Sequence, residues 1–285
     1  MKKRAAEILL AIIIMARATG YLFSTICLQE MGVFSLLAER FLLAGCLLML
    51  LLRKKLQWNR CTIGRGCLLG LAYFLCMACE LTSLKTTPTS TVSLLENNAM
   101  ILVPLLEWII YKKKPNKHTI LCALVALAGV YFLTAIGVKF QLTVGELLSI
   151  GAALFSATAI LLTAHFAVDS DGLSLGVFEV TSLGFYALLI CMLFESPCLP
   201  QSPASFGSLL YLSVICTGFA YTLQPVVQRK LDADSASIFF AINPVFAFLI
   251  GVLILHEPIT WQRITGSLLI LTALFISRGN DSKQF

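Results

Sequence analysis

The groups that could do chemistry in this chain are charged and amide side chains standing inside otherwise apolar runs. Glu96, Asn97 and Asn98 interrupt LLENNAMILVPLLEW (94–108), and Glu80 lies near the end of the run before it. Arg17 and Tyr21 lie in the first run, Tyr221 and Gln224 late in the chain, and Asn243 beside Pro244. Carboxylates offer a partner to a cation or a proton, and a guanidinium can grip a substrate carboxylate through two parallel hydrogen bonds. An ionised side chain at the centre of a bilayer helix costs about 2.5–3.5 kcal/mol on insertion scales, so such groups face a cavity or one another. Helical spacing aligns them: Arg17, Tyr21 and Ser24 share a face, as do Thr217, Tyr221, Gln224 and Gln228, and as do Glu96, Met100, Val103 and Glu107 with Asn97 at the flank. The candidate substrate-binding residues are therefore Arg17, Tyr21, Glu80, Glu96, Asn97, Tyr221, Gln224 and Asn243.

The elements that must position them are set by composition. Of 285 residues 58% are hydrophobic and 13% charged, against about 45–50% and about 25% in ordinary globular domains. A spanning helix needs roughly 20 mostly apolar residues, and such stretches read at 8–28, 33–52, 66–84, 91–111, 118–138, 143–166, 173–194, 206–228, 235–255 and 259–277. The fold class is all-α integral membrane with ten transmembrane helices, and the short loops leave no room for a soluble domain. MKKRAAEILLAIIIMARA imitates a secretory signal, but Arg17 is a poor residue before a cleavage site, and the segment reads as a retained first helix.

With a cytoplasmic N-terminus, 16 of the 21 Lys and Arg residues fall at inner helix ends and loops, and only Lys85, Lys139 and Arg263 fall outside. That bias puts both termini in the cytoplasm, in a multi-pass protein of the cytoplasmic membrane, and explains the net charge of +6 without nucleic acid. In this frame Glu80 and Glu96 each lie about five residues, or roughly 7 Å, below the outer edge of consecutive helices. If they meet, both cannot ionise readily, and a shared proton would let the pair bind a cation or exchange a proton for one. The competing reading has Glu96 neutralised by Arg40 or reaching out toward Lys85. For Arg17, a substrate carboxylate competes with an internal partner such as Glu179 or Glu39. Pro104 and Pro244 each remove a donor and could free backbone carbonyls for a substrate, or could serve packing alone.

The chain also repeats itself. Shifted by 143 residues, TVSLLENNAMILVPLLEW lies over DSASIFFAINPVFAFLIG; shifted by 139, AEILLAIIIMARATGYLFS lies under GELLSIGAALFSATAILLT. Five helices per half is an odd number, so the halves, 1–140 and 141–285, enter the membrane from opposite sides as two inverted five-helix repeats, a recurring architecture of secondary transporters.

Arg40-Phe41, LKTTPTSTVSLL (84–95) with Pro104 after it, and NPVFAFLIGVLILHEPITWQRITGSLLIL (243–271) resemble the drug/metabolite transporter superfamily and, within it, the ten-helix EamA-type group. The resemblance covers nearly the whole chain and implies movement of amino acids, amines, nucleotide-related metabolites or similar small solutes. Lys114, where the family often has the Glu seen here as Glu257, and Arg17, in a first helix that is usually uncharged, depart from the pattern.

The leading expectation is thus a secondary transporter of small metabolites working by alternating access, an exporter or exchanger, with a solute and lipid as partners. No GxxxxGK[ST] loop is present and no cofactor is called for. The Cys76–Cys79 pair lacks a second pair and His118, His165 and His256 lie far apart, so no metal is expected. The alternatives are a non-transporting membrane partner and a membrane-embedded enzyme, the latter resting on Asp169-Ser170-Asp171 and Asp232-Ala233-Asp234 as a metal-holding pair of acidic loops. Small residues at 123–132 and 266–275 suit close helix contact, within the chain or across a homodimer.

Overall fold

A computed structural model describes residues 3–87, 92, 95–112, 114, 117–134, 143–231, 236, 239–240, 242–243, 245–246 and 260–281. The regular elements among these residues are all helices. The helices are α1 (Lys3–Ala18), α2 (Gly20–Cys27), α3 (Val33–Leu52), α4 (Arg60–Leu84), α5 (Ala99–Tyr111), α6 (Lys117–Thr134), α7 (Val144–Asp169), α8 (Gly172–Phe194) and α9 (Pro203–Tyr211). A π-helical segment (Leu212–Phe219), α10 (Ala220–Gln228) and α11 (Trp261–Asp281) complete the order. Six stretches are long and apolar enough to cross a membrane: Ala5–Cys27, Val33–Leu52, Arg60–Leu84, Val144–Asp169, Gly172–Phe194 and Pro203–Gln228. Most of the expected ninth helix, with Pro244, lies outside the described residues, as do Glu257, Lys139 and the Asp232–Asp234 pair.

The sequence explains where these helices start. Thr143 and Glu146 form a reciprocal capping box on α7, Asp171 accepts from Ser174 N at 2.9 Å to cap α8, and Ser202 with Pro203 opens α9. Two loops cap helices of the opposite half: Glu195 accepts from the backbone N–H groups of Val33, Phe34 and Ser35 at 2.9–3.1 Å, and Glu30 from those of Gln201 and Ser202 at 3.0 and 3.1 Å. Asp169 and Asp171 are likewise engaged, since Arg65 reaches Asp169 at 3.6 Å and Ser170 at 2.9 Å while Asp171 caps α8.

The outward surfaces carry Leu50, Leu51, Trp108, Leu193 and Phe194, all exposed, as lipid-facing helices require. Inside, α4 packs on α7 and α8, and α3 packs on α8. The seam is close because it is glycine-lined: a β carbon on Gly70 would stand 2.7 Å from the Glu179 carbonyl oxygen. The small-residue helices pack against each other within the chain, as α6 on α11, where a β carbon on Gly129 would stand 2.7 Å from the Gly266 carbonyl.

Two departures from simple helix concern the site. The expected fourth helix is broken: Leu95 and Glu96 are helical, Asn97–Asn98 form a turn, and α5 starts at Ala99. The amides cause this, because Asn98 Nδ2 bonds the Leu95 carbonyl at 2.9 Å and competes with the backbone ladder. Pro104, where irregular backbone was expected, sits inside α5. The expected eighth helix widens into the π-segment, with Pro225, which has no N–H to donate, one turn beyond Tyr221.

Candidate functional site

The packing of α4 on its glycine face turns Tyr73, Met77 and Glu80 inward at spacings of four and three, a single helical face. The turn at Asn97–Asn98 brings Glu96 to the same place from the next segment. Helices α1 and α2 present Arg17, Tyr21 and Ser24, while α10 presents Tyr221 and Gln224. These elements surround a partly open cavity.

Charges of both signs line it. Arg17, Arg40, Glu80 and Glu96 all face the cavity, with Tyr21, Ser24, Asn97, Ser156, Tyr221 and Asn243 between them. The Tyr21 hydroxyl donates to Glu96 Oε2 at 2.7 Å. Ligand atoms of Glu80, Glu96 and Cys76 lie within 4.8 Å of one another, so the two carboxylates meet. Arg17 Nη1 donates to Gln224 Oε1 at 2.8 Å and lies over the Tyr221 ring, 4.3 Å from its centroid. Gln224 in turn donates to the Tyr73 hydroxyl, and Tyr73 meets Tyr221 edge to face at 5.3 Å. Arg40 Nε donates to Thr217 Oγ1 at 2.6 Å, which ties α3 to the π-segment.

Among the residues singled out from sequence, Arg17, Tyr21, Glu80, Glu96, Asn97, Tyr221 and Asn243 line the cavity, and Gln224 stands directly behind Arg17. Of the internal partners weighed for Arg17, Glu179 does not bond it: Arg17 donates to Gln224, and both Glu179 oxygens lack a hydrogen-bond partner. Arg40 lines the cavity yet bonds Thr217, so it faces solute space and fastens helices at once. Sequence reasoning missed Met77 and Ser156 as lining residues. Met77 was accessible through its place three residues before Glu80, whereas nothing about Ser156 marks it until the repeat is used.

Positions related by the repeat meet at this cavity. With the shift of 139, Arg17 corresponds to Ser156 and Tyr21 to Ile160; with the shift of 143, Asn97 corresponds to Phe240 and Met100 to Asn243, and all of these line it. Cys76, Glu80 and Glu96 are the group among the described residues that could ligate a metal ion. Arg17 and Arg40 stand in the same cavity and repel a divalent cation, so the balance of two acids and two bases suits a solute carrying both signs better.

The chain is 25% identical over 283 residues to an uncharacterized transporter of Archaeoglobus fulgidus, covering 97% of this chain and 86% of that one. It is 23% identical to a second such protein of the same organism, covering 95% and 96%. Over 36% of its length it is 27% identical to the biotin transporter of Escherichia coli. A solved crystal structure with 17% identity shares its fold, with a TM-score of 0.81 over 97% of both chains. The model of the EamA-like transporter family matches twice, at residues 4–135 and 143–279. This multi-pass, all-helical membrane protein, built around a cavity that both matched halves line, belongs to the EamA-like transporter family.

Proposed function

We propose that the protein is a secondary transporter of small zwitterionic or amine-bearing metabolites across the cytoplasmic membrane. In this reading ten helices form two inverted five-helix units, 1–140 and 141–285, with both termini in the cytoplasm, and the cavity is exposed to each side in turn as the units rock. One observation carries it. Four pairs of repeat-related positions line one cavity, which is what a solute site between two inverted halves requires.

The charges suggest how a solute is held. Arg17, oriented by Gln224 and the Tyr221 face, suits a carboxylate, because a guanidinium can still offer two parallel donors to it. Glu96, fixed by Tyr21, with Glu80 beside it, suits an ammonium group. An amino acid or a related solute satisfies both ends, with Asn97 and Asn243 as neutral bonding partners. Export or exchange follows if the carboxylate pair takes up a proton from outside as the ammonium leaves.

The test is ligand-induced thermal stabilisation of the purified, full-length protein with amino acids, amines, nucleosides and organic acids, because a bound ligand raises the apparent melting temperature by mass action. Zwitterionic amino acids are expected to stabilise the wild type and to fail with Glu96→Gln. Stabilisation by organic acids alone, or by amino acids equally in the variant, would overturn the assignment.

A further inference from the structure

A second ionisable site lies behind the cavity. Glu179 is on α8, seven residues in from Gly172, about 10 Å along the helix. It is 1% exposed, and neither carboxylate oxygen has a hydrogen-bond partner. It does not line the cavity, and none of the solute contacts above uses it. Close packing keeps it there, since Gly66 and Gly70 of α4 lie against the Phe178–Leu183 backbone.

The groups that act on Glu179 are few. From α4 comes Tyr73, and from α1 comes Arg17, the cation whose field reaches it. The α10 helix contributes the neutral Gln224, through its bond to Tyr73. The α3 helix meets α8 through Gly45 at Thr181 and Leu42 at Gly184 and carries two charged side chains, Glu39 and Arg40, of which Arg40 is held by Thr217. An ionised carboxylate with no donor in an apolar interior costs far more than its neutral acid. Arg17 could relieve that cost, but in this conformation it is bonded to Gln224 and stacked on Tyr221.

We propose that Glu179 is a proton-binding site separate from the Glu80–Glu96 pair, holding its proton while Arg17 is engaged by Gln224 and releasing it to water when Arg17 is freed to face it. The ligand is the proton itself. On the transport reading above, on which only its role in the cycle rests, this links the state of the solute-facing guanidinium to one protonation event on the far side of the Arg17–Gln224–Tyr73 layer.

The test is infrared titration of the full-length protein in lipid vesicles, with protons as the sole ligand, following the high-frequency carbonyl band of a carboxyl that accepts no hydrogen bond. The band is expected at neutral pH in the wild type and in the Glu80→Gln, Glu96→Gln double variant, and is expected to vanish in Glu179→Gln. Gln224→Leu, which frees Arg17, is expected to weaken proton binding at this band by at least about tenfold. A band that survives Glu179→Gln unchanged, or that titrates in Gln224→Leu as in the wild type, overturns the proposal. If Glu179→Gln cannot be recovered folded, Glu179→Asp decides: the band must shift in position, and an unmoved band is equally fatal. No solute enters the measurement, so failure of the solute assignment and failure of this one are read separately.

Discussion

The two matched halves of the chain contribute to one cavity in unequal ways. Residues 4–135 supply every charge on its wall among the described residues, Arg17, Arg40, Glu80 and Glu96, whereas 143–279 supplies Ser156, Ile160, Tyr221, Phe240 and Asn243. Where the first half has Arg17 the second has Ser156, and where the first has Tyr21 the second has Ile160. A repeat can thus hold backbone and packing in common while its copies divide the chemistry.

If that division is functional, removing the charged member of a pair must cost most. Arg17→Ala is expected to weaken binding of a zwitterionic solute by about 30-fold or more, since truncating one partner of a buried, hydrogen-bonded charge pair typically costs about 2–5 kcal/mol. Equilibrium binding of labelled amino acid measures it, and a loss no larger than that from Ser156→Ala would dissolve the contrast between the halves.

The acids come next. Protons compete with an ammonium group for the Glu80–Glu96 pair, so wild-type stabilisation by an amine-bearing solute should be larger at pH 8 than at pH 6, and Glu96→Gln should flatten the difference. Smaller effects belong to neutral partners. Tyr21→Phe removes one donor to Glu96 and Asn243→Ala one amide of the second half, each expected to cost about 1 kcal/mol, or roughly fivefold in affinity.

The smallest effect lies outside the membrane, where the two halves are joined by their loops. Hydrogen bonds from the Ser202 side chain, then from the Ser202 and Gln201 backbones, hold the Glu30 carboxyl down at about 2. A depressed folded-state value means stability present above the ordinary carboxylate range and lost as pH falls toward 2. Glu30→Gln should therefore melt slightly below the wild type at pH 6 and converge with it only as pH falls to about 2; a gap that does not narrow with falling pH would remove this loop as a tie between halves.

Much of this arrangement was legible in the sequence because a bilayer makes polarity costly. Arg17, Glu80 and Glu96 stood out as charges in apolar runs, and the stripe from Thr217 to Gln228 was visible from spacing alone. Glu179 was visible as a charge, but not its isolation, which depends on Gly66 and Gly70 admitting α8 at backbone distance. The turn at Asn97–Asn98 was missed because the two amides were read as groups on one face of a continuous helix, while Pro104, where irregular backbone was expected, is tolerated inside α5. The π-segment has no signature in hydropathy. Ser156 shows why a second copy is hard to read: its role lies in the position it shares with Arg17, not in its own chemistry.

The most direct measurement is counterflow across sealed proteoliposomes loaded with unlabelled amino acids and diluted into trace labelled amino acids, comparing wild type with Arg17→Ala. The account predicts transient accumulation of label by the wild type and none above empty liposomes by the variant. Accumulation by neither protein, or equal accumulation by both, would contradict the claim that the charged half of this cavity carries the solute.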